Sequence, residues 1–345
     1  MKDLKKIIFL GVIIVIFTGY LVGRYYLNKG AADKETNMTK VTLALDWTPN
    51  TNHTGIYIAK TKGFFQNQGL DVEILPFTSN ASPDVLVSLG KADIGISSTE
   101  WIIGDAALGS PVKSIAAIIQ HNTSALITLA DSGLKRPKDL ANKKYGGFGA
   151  PFESAVVGQI IKKDGGKPVI KNITIDVGAL KALEGKRIDF VWAYQGWEVI
   201  EAKREGFKVN VMPITDYGIA DYYSPVFITS QKTIETKKEI LGKFMKALSD
   251  GYEFARTNPK ESATILIQSV PAGTFPDEGL VYESQEYLSP RYADKERVWG
   301  LQDAKAWQDF GKFLLDSGSI TDQNGKTVKE IDLDSLYTNE LLPAQ

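Results

Sequence analysis

The chain has no cysteine and only two histidines, His53 and His121, in 345 residues. The first absence excludes disulfides, thiolate zinc sites, cysteine nucleophiles and cysteine-linked lipid anchors. The second leaves no supply for a multi-histidine metal centre, so no metal site and no resident cofactor are expected. An excess of one charge is also missing, because 40 basic residues stand against 41 acidic ones for a formal net charge of −1. Such a chain has no global field to hold nucleic acid or an anionic membrane surface. Catalytic signatures are lacking too: no G-x-S-x-G, G-x-x-x-x-G-K-[ST], H-E-x-x-H or G-x-G-x-x-G occurs in a fitting context. No catalytic residue is assigned, and the protein is expected not to be an enzyme.

What is present begins with a compartment signal. Lys2, Lys5 and Lys6 precede the uncharged apolar run Ile7 to Gly23, whose length fits a secretory h-region or a short membrane helix. Arg24 and Tyr25-Tyr26-Leu27 resemble a stop, whereas Gly30-Ala31-Ala32 is a small-residue cleavage site farther downstream. Residues 1–29 are therefore read as a signal-anchor or signal peptide, with the retained anchor favoured, and the polar stretch 30–39 as a linker. More Lys and Arg lie before the run than just after it, which places the globular part outside the cytoplasm.

The remaining length, with 43% hydrophobic residues, suits two domains better than one. Strand-like and helix-like segments alternate from Val41 onward: strands near 71–75, 93–97 and 112–119, and helices near 83–90 and 100–108. A second block repeats the scheme after a strand at Ala125 to Ala130, a pattern that predicts an α/β architecture with largely parallel sheets. An internal echo joins the blocks, since Leu89-Gly90-Lys91-Ala92-Asp93-Ile94 resembles Glu184-Gly185-Lys186-Arg187-Ile188-Asp189-Phe190. The expected division is a discontinuous lobe 1 from 40–130 with 225–345, a lobe 2 from 131–224, and hinge crossings near Ala130 and Ser224. Ligands in open α/β sheets bind beyond the carboxyl ends of strands, so two facing lobes predict a cleft between them.

Three segments at such strand ends hold the candidate ligand-binding residues. The first runs from Asp46 through Trp47, Asn50 and His53 into a helix near Thr54, where free backbone N–H groups face outward. The second is Ser97, Ser98, Thr99 and Glu100, of which capping alone explains one hydroxyl. The third includes Trp192, Tyr194 and Glu198, with rings to clamp a flat ligand and a carboxylate to take its hydrogen bonds. Tyr222, before the return crossing, is added to the set. None of the three segments contains arginine, which a sulfonate or nitrate ligand would demand.

The run Asp46-Trp47-Thr48-Pro49-Asn50-Thr51-Asn52-His53-Thr54-Gly55, with Ile56 to Phe65 and Gly69-Leu70-Asp71-Val72 behind it, resembles the thiamine-precursor-binding proteins of bacterial ABC importers. The likeness continues through Gly90 to Gly95 and Trp192 to Glu198, covering residues 40–270. It implies a type II periplasmic-binding-protein fold, a ligand such as formylaminopyrimidine or hydroxymethylpyrimidine, an ABC permease as partner and a monomeric receptor. From the residue types in the three segments, Trp47 and Tyr194 are expected to stack on the ring while Asp46, Asn50 and Glu198 bond its edge. Alkanesulfonate-, taurine- and nitrate-binding proteins share the Gly90 to Gly95 feature, and these ligands or a flavin are the alternatives. The same superfamily includes the pyrimidine synthase of fungal thiamine biosynthesis, known for a cofactor-binding lysine and a sacrificial histidine beyond the strand matching Asp93 to Ile96. Here that stretch, Ser97 to Trp101, has neither residue, and the synthase assignment fails at its chemical groups.

Overall fold

Val41 and Leu43 are buried while Thr42 between them is half-buried, the two-residue alternation of a strand with one face in a core. In the computed structural model, which describes residues 38–110, 112–175 and 178–343, this strand is β1 (Thr39–Ala44). It leads through α1 (Thr54–Thr61) and α2 (Phe64–Asn67) to β2 (Leu70–Leu75). α3 (Pro83–Ser88), β3 (Ile94–Ser97), α4 (Thr99–Ala107) and β4 (Val112–Ala117) follow. Ser82 caps α3 by accepting from the Val85 N–H, and Pro83 occupies its first turn, the start signal expected of such a helix.

The second block holds β5 (Ser124–Leu129), β6 (Lys144–Gly147), α5 (Glu153–Lys163), β7 (Lys171–Thr174), α6 (Ala179–Glu184), β8 (Phe190–Tyr194), α7 (Glu198–Arg204) and β9 (Val209–Pro213). The chain then returns through β10 (Val226–Ser230) into α8 (Gln231–Thr257), α9 (Pro259–Ser269), α10 (Glu278–Leu288) and α11 (Ala304–Ser317). Among the described residues two five-stranded sheets result, in the orders β2-β1-β3-β10-β4 and β7-β6-β8-β5-β9. They have the same plan. β3 and β8 lie at the centre of each, and a residue with positive φ, Gly90 or Lys186, precedes each of them.

Neither sheet is wholly parallel, because β10 runs antiparallel to β3 and β4 and β5 antiparallel to β8 and β9. β5 therefore belongs to the second sheet, and the chain leaves the first sheet between Ala117 and Ser124, ahead of the Ala130 expected from sequence. The return crossing lies between Pro213 and Val226, where Ser224 sits. The two crossings are pinned together: His121 on the first bonds Asp221 on the second at 2.5 Å and Asp294 at 3.0 Å. Asp221 also accepts the Asn122 N–H.

The C-terminal helices close on the first sheet and support the segment after β1. α1 and α8 approach so closely that a Cβ on Gly55 would collide with the Tyr252 ring and one on Gly251 with the Gly55 carbonyl. The expected anchor or signal peptide at 1–29 and nearly all of the linker lie outside the described residues. Among the described residues no helix is long and apolar enough to cross a membrane.

Candidate functional site

β1 and β3 of the first sheet and β8 of the second end in the three segments singled out from sequence. The segment after β1 is held rigidly from both sides. Asn50 accepts the Asn52 N–H at 2.9 Å and donates to the Thr48 carbonyl at 3.1 Å, so its amide is committed to the turn. The Asn50 N–H donates to His53 Nδ1 at 3.3 Å, which assigns the ring proton to Nε2, and Nε2 donates to Asp46 at 2.8 Å. From the other side Tyr252 donates to the Asn52 carbonyl, Tyr292 donates to the Thr51 carbonyl, and the Thr51 and Ser284 hydroxyls bond each other.

This geometry gives two of the residues expected from sequence a structural task. His53 is 0% exposed and Asn50 bonds the turn through both ends of its side chain, so both shape the loop and His53 orients Asp46. Asp46 keeps its side chain one-third exposed. Trp47 is half-buried, with ring centroids 4.8 Å from Phe77 and 5.9 Å from Phe148. Phe148 follows β6 of the second sheet, so Trp47 stands where the two lobes meet.

In the second segment Ser97 is buried and its hydroxyl donates to Asp84. Thr99 is buried and bonds the Tyr223 carbonyl through both its N–H and its hydroxyl. Both hydroxyls thus tie neighbouring elements together. Ser98 is buried at the N-cap of α4 and its hydroxyl reaches Glu100. Glu100 is different. It is 4% exposed, its Oε1 accepts the Tyr222 hydroxyl at 3.3 Å, and its Oε2 has no partner. Burial pushes its carboxyl up to about 7, because the loss of hydration outweighs the hydrogen bonds that favour the charged form.

In the third segment Tyr194 lies within electrostatic reach of Glu100, Glu198 and Asp46, with Ser224 nearby; burial raises its phenol well above the ordinary value. Glu198 accepts the Tyr194 N–H at 2.9 Å and so braces the turn into α7, and burial pushes its carboxyl up to about 7. Trp192 is half-buried with an unpartnered indole N–H. Tyr222 is buried, stacked on Phe310 at 3.6 Å and 7°.

Four residues missed in the sequence complete the site. Asn122, on the first crossing, accepts the Ser124 N–H and leaves Nδ2 unpartnered beside the Tyr222 hydroxyl. Phe77 and Phe148 flank Trp47. Glu153 accepts the N–H groups of Phe148, Gly149 and Ala150 at 3.0, 2.7 and 2.8 Å and the Tyr145 hydroxyl at 2.9 Å. The glycine-rich Gly146-Gly147-Phe148-Gly149 between a strand and a helix was the available signal for this loop.

The site thus gathers four carboxyl groups, several rings and three unpartnered polar atoms: Glu100 Oε2, Trp192 Nε1 and Asn122 Nδ2. Among the described residues no lysine or arginine hydrogen-bonds to Asp46, Glu100, Glu153 or Glu198. No group of three His, Cys, Asp or Glu residues among them is arranged for a metal ion. Such a lining suits a ligand that is flat, uncharged or weakly basic, and rich in N–H donors.

Residues 50–262 match the family described as NMT1/THI5 like. A formylaminopyrimidine-binding protein of Halalkalibacterium halodurans is 28% identical over 82% of this chain and 87% of its own length. A 4-amino-5-hydroxymethyl-2-methylpyrimidine phosphate synthase of Saccharomyces cerevisiae is 26% identical over 64% of this chain and 68% of its own. Among solved structures, the periplasmic aliphatic sulphonate binding protein SsuA of Escherichia coli superposes with a TM-score of 0.63 at 13% identity, over 86% of this chain and 91% of that one. The shared architecture is the type II periplasmic-binding-protein fold, two α/β lobes around a cleft.

Proposed function

Because the chain belongs to the NMT1/THI5-like family, we propose that it is an extracytoplasmic solute-binding protein that captures a thiamine-precursor aminopyrimidine and delivers it to an ABC permease. The observation that carries this assignment is the cleft lining: buried carboxyls and aromatic rings, with Glu100 Oε2 and Trp192 Nε1 unpartnered. An aminopyrimidine edge offers a ring-nitrogen acceptor beside an amino donor. A carboxylic acid matches both at once, and Glu100, pushed to about 7, holds a proton for that pairing near neutral pH. Trp47 and Tyr194 supply ring faces, with Asp46 oriented by His53.

A sulfonate or nitrate would instead be desolvated against carboxylates with no cation bonded to them, which costs several kcal/mol for like charges held together. The enzymatic rival is favoured by the yeast relative. It is opposed by the absence of lysine and histidine from Ser97 to Trp101 and of cysteine from the chain. The lobes would close about the crossings at 118–123 and 214–225, and the apolar run at 7–23 would tether the monomer outside the cytoplasm.

A thermal-shift panel tests the assignment, since a ligand that binds only the folded state raises Tm with concentration. Formylaminopyrimidine and hydroxymethylpyrimidine should raise Tm, while taurine and nitrate should not. A shift with taurine alone overturns the ligand class, and turnover with pyridoxal phosphate overturns the binding role.

A further inference from the structure

α5 is preceded by a concave run of backbone donors. The N–H groups of Phe148, Gly149 and Ala150 converge on one point ahead of an eleven-residue helix. Successive main-chain N–H groups at a helix N-terminus form a nest that takes phosphate or another anion. Here the chain fills the nest itself. The Glu153 carboxylate accepts all three N–H groups and the Tyr145 hydroxyl, and the residue is 5% exposed. Gly147 keeps the fit close, because a Cβ there would lie 2.8 Å from Glu153 Oε1 and 2.5 Å from the Tyr145 ring. A cavity borders the nest, lined in part by Gly149, Ala150, Pro151, Asn172 and Thr174.

This nest belongs to the cleft rather than to a remote surface. Phe148, whose N–H it uses, touches Trp47 of the first lobe, and the Glu153 charge is felt at Glu100. We propose that Glu153 is a built-in counter-anion that sets ligand specificity: it occupies the anion nest of the second lobe and reserves the cleft for pyrimidines without a phosphoryl group. The inference rests on the proposed aminopyrimidine ligand. A phosphate ester would have to displace the carboxylate or lie beside it, near Glu100 and Asp46, with no lysine or arginine bonded to any of the three. Specificity of this kind comes from repulsion of the wrong ligand as much as attraction of the right one. Hydroxymethylpyrimidine and its phosphate ester differ by the group this nest would refuse.

The test titrates hydroxymethylpyrimidine, its phosphate ester and inorganic phosphate alone into the wild type, E153Q and E153A, reading Kd by calorimetry and Tm by melting. The wild type should prefer the alcohol over the ester by about 100-fold, the expected size of an unrelieved like-charge contact, and inorganic phosphate should leave its Tm unchanged. E153A should gain a phosphate-dependent rise in Tm, and the preference for the alcohol should narrow by about tenfold or more in E153Q, which keeps the side-chain shape without the charge. Equal wild-type affinity for alcohol and ester overturns the proposal. So does a folded E153A that ignores phosphate, or, where E153A does not fold, an E153Q whose preference is unchanged. If neither pyrimidine binds the wild type, the functional assignment fails, while the phosphate arm still decides the role of Glu153.

Discussion

The two oxygens of Glu100 have unlike surroundings, one on the Tyr222 hydroxyl and one buried with no partner, and that asymmetry has a pH consequence. A protonated Glu100 can donate to a ring nitrogen and accept from the neighbouring amino group; the ionised form sets a negative charge against the ring lone pair. Affinity for an aminopyrimidine should therefore fall as pH rises through about 7, and E100Q, whose amide offers the same donor and acceptor, should keep binding and lose most of the pH dependence. Calorimetry from pH 6 to 9 on both proteins reads this, and equal slopes would refute it. At this scale the sequence was legible as far as residue type. Asp46, Trp47, Glu100 and Tyr194 stood out from it, and so did Asn50, His53 and Thr99, whose side chains are bonded within the fold. A short polar side chain satisfies a loop N–H as readily as a ligand, and only the observed bonds separate the two roles.

The crossing of α1 and α8 positions the Asp46 to His53 loop, because α1 begins where that loop ends and Tyr252 on α8 also bonds the Asn52 carbonyl. A methyl group has no room there. G55A should destabilise by about 1–3 kcal/mol through overpacking, seen as a lower Tm, and should weaken ligand binding by displacing the loop. An unchanged Tm would mean that the helices separate freely and that their contact does not position the site. Elements were largely legible from apolar periodicity: β2, β3 and α3 lie within a residue or two of expectation. The sheet to which β5 belongs was not. Its run Ser124 to Leu129 is buried almost throughout, and a strand buried on both faces has no preferred face to read. Its membership is set by pairing with Ala193 and Pro213, residues far along the chain, and no local pattern contains that information.

Across the whole molecule, buried acids set how stability depends on pH. Burial pushes Glu100 and Glu198 up to about 7, and burial together with Asp84 pushes Asp105 up to about 8. Each is raised above its unfolded value, so the stability tied to their protonation is complete below about pH 4 and is lost as pH rises through about 7 to 8. The ligand-free Tm should fall over that interval. D105N, whose amide can donate to Asp84 without a proton, should flatten the decline, and a Tm that rises with pH would contradict the assignment of these groups. The two-lobed plan was legible from the repeated strand–helix pattern and the Gly-Lys echo. The pinning of the crossings by His121 was not, since Asp221 and Asp294 meet it only in the fold.

The central claim is that this protein binds an aminopyrimidine and leaves it unchanged. Calorimetric titration of formylaminopyrimidine into the purified protein, with the ligand recovered afterwards and analysed by mass, tests it most directly. The account predicts saturable one-to-one binding and quantitative recovery of intact ligand. No binding, or a chemically altered ligand, would contradict it.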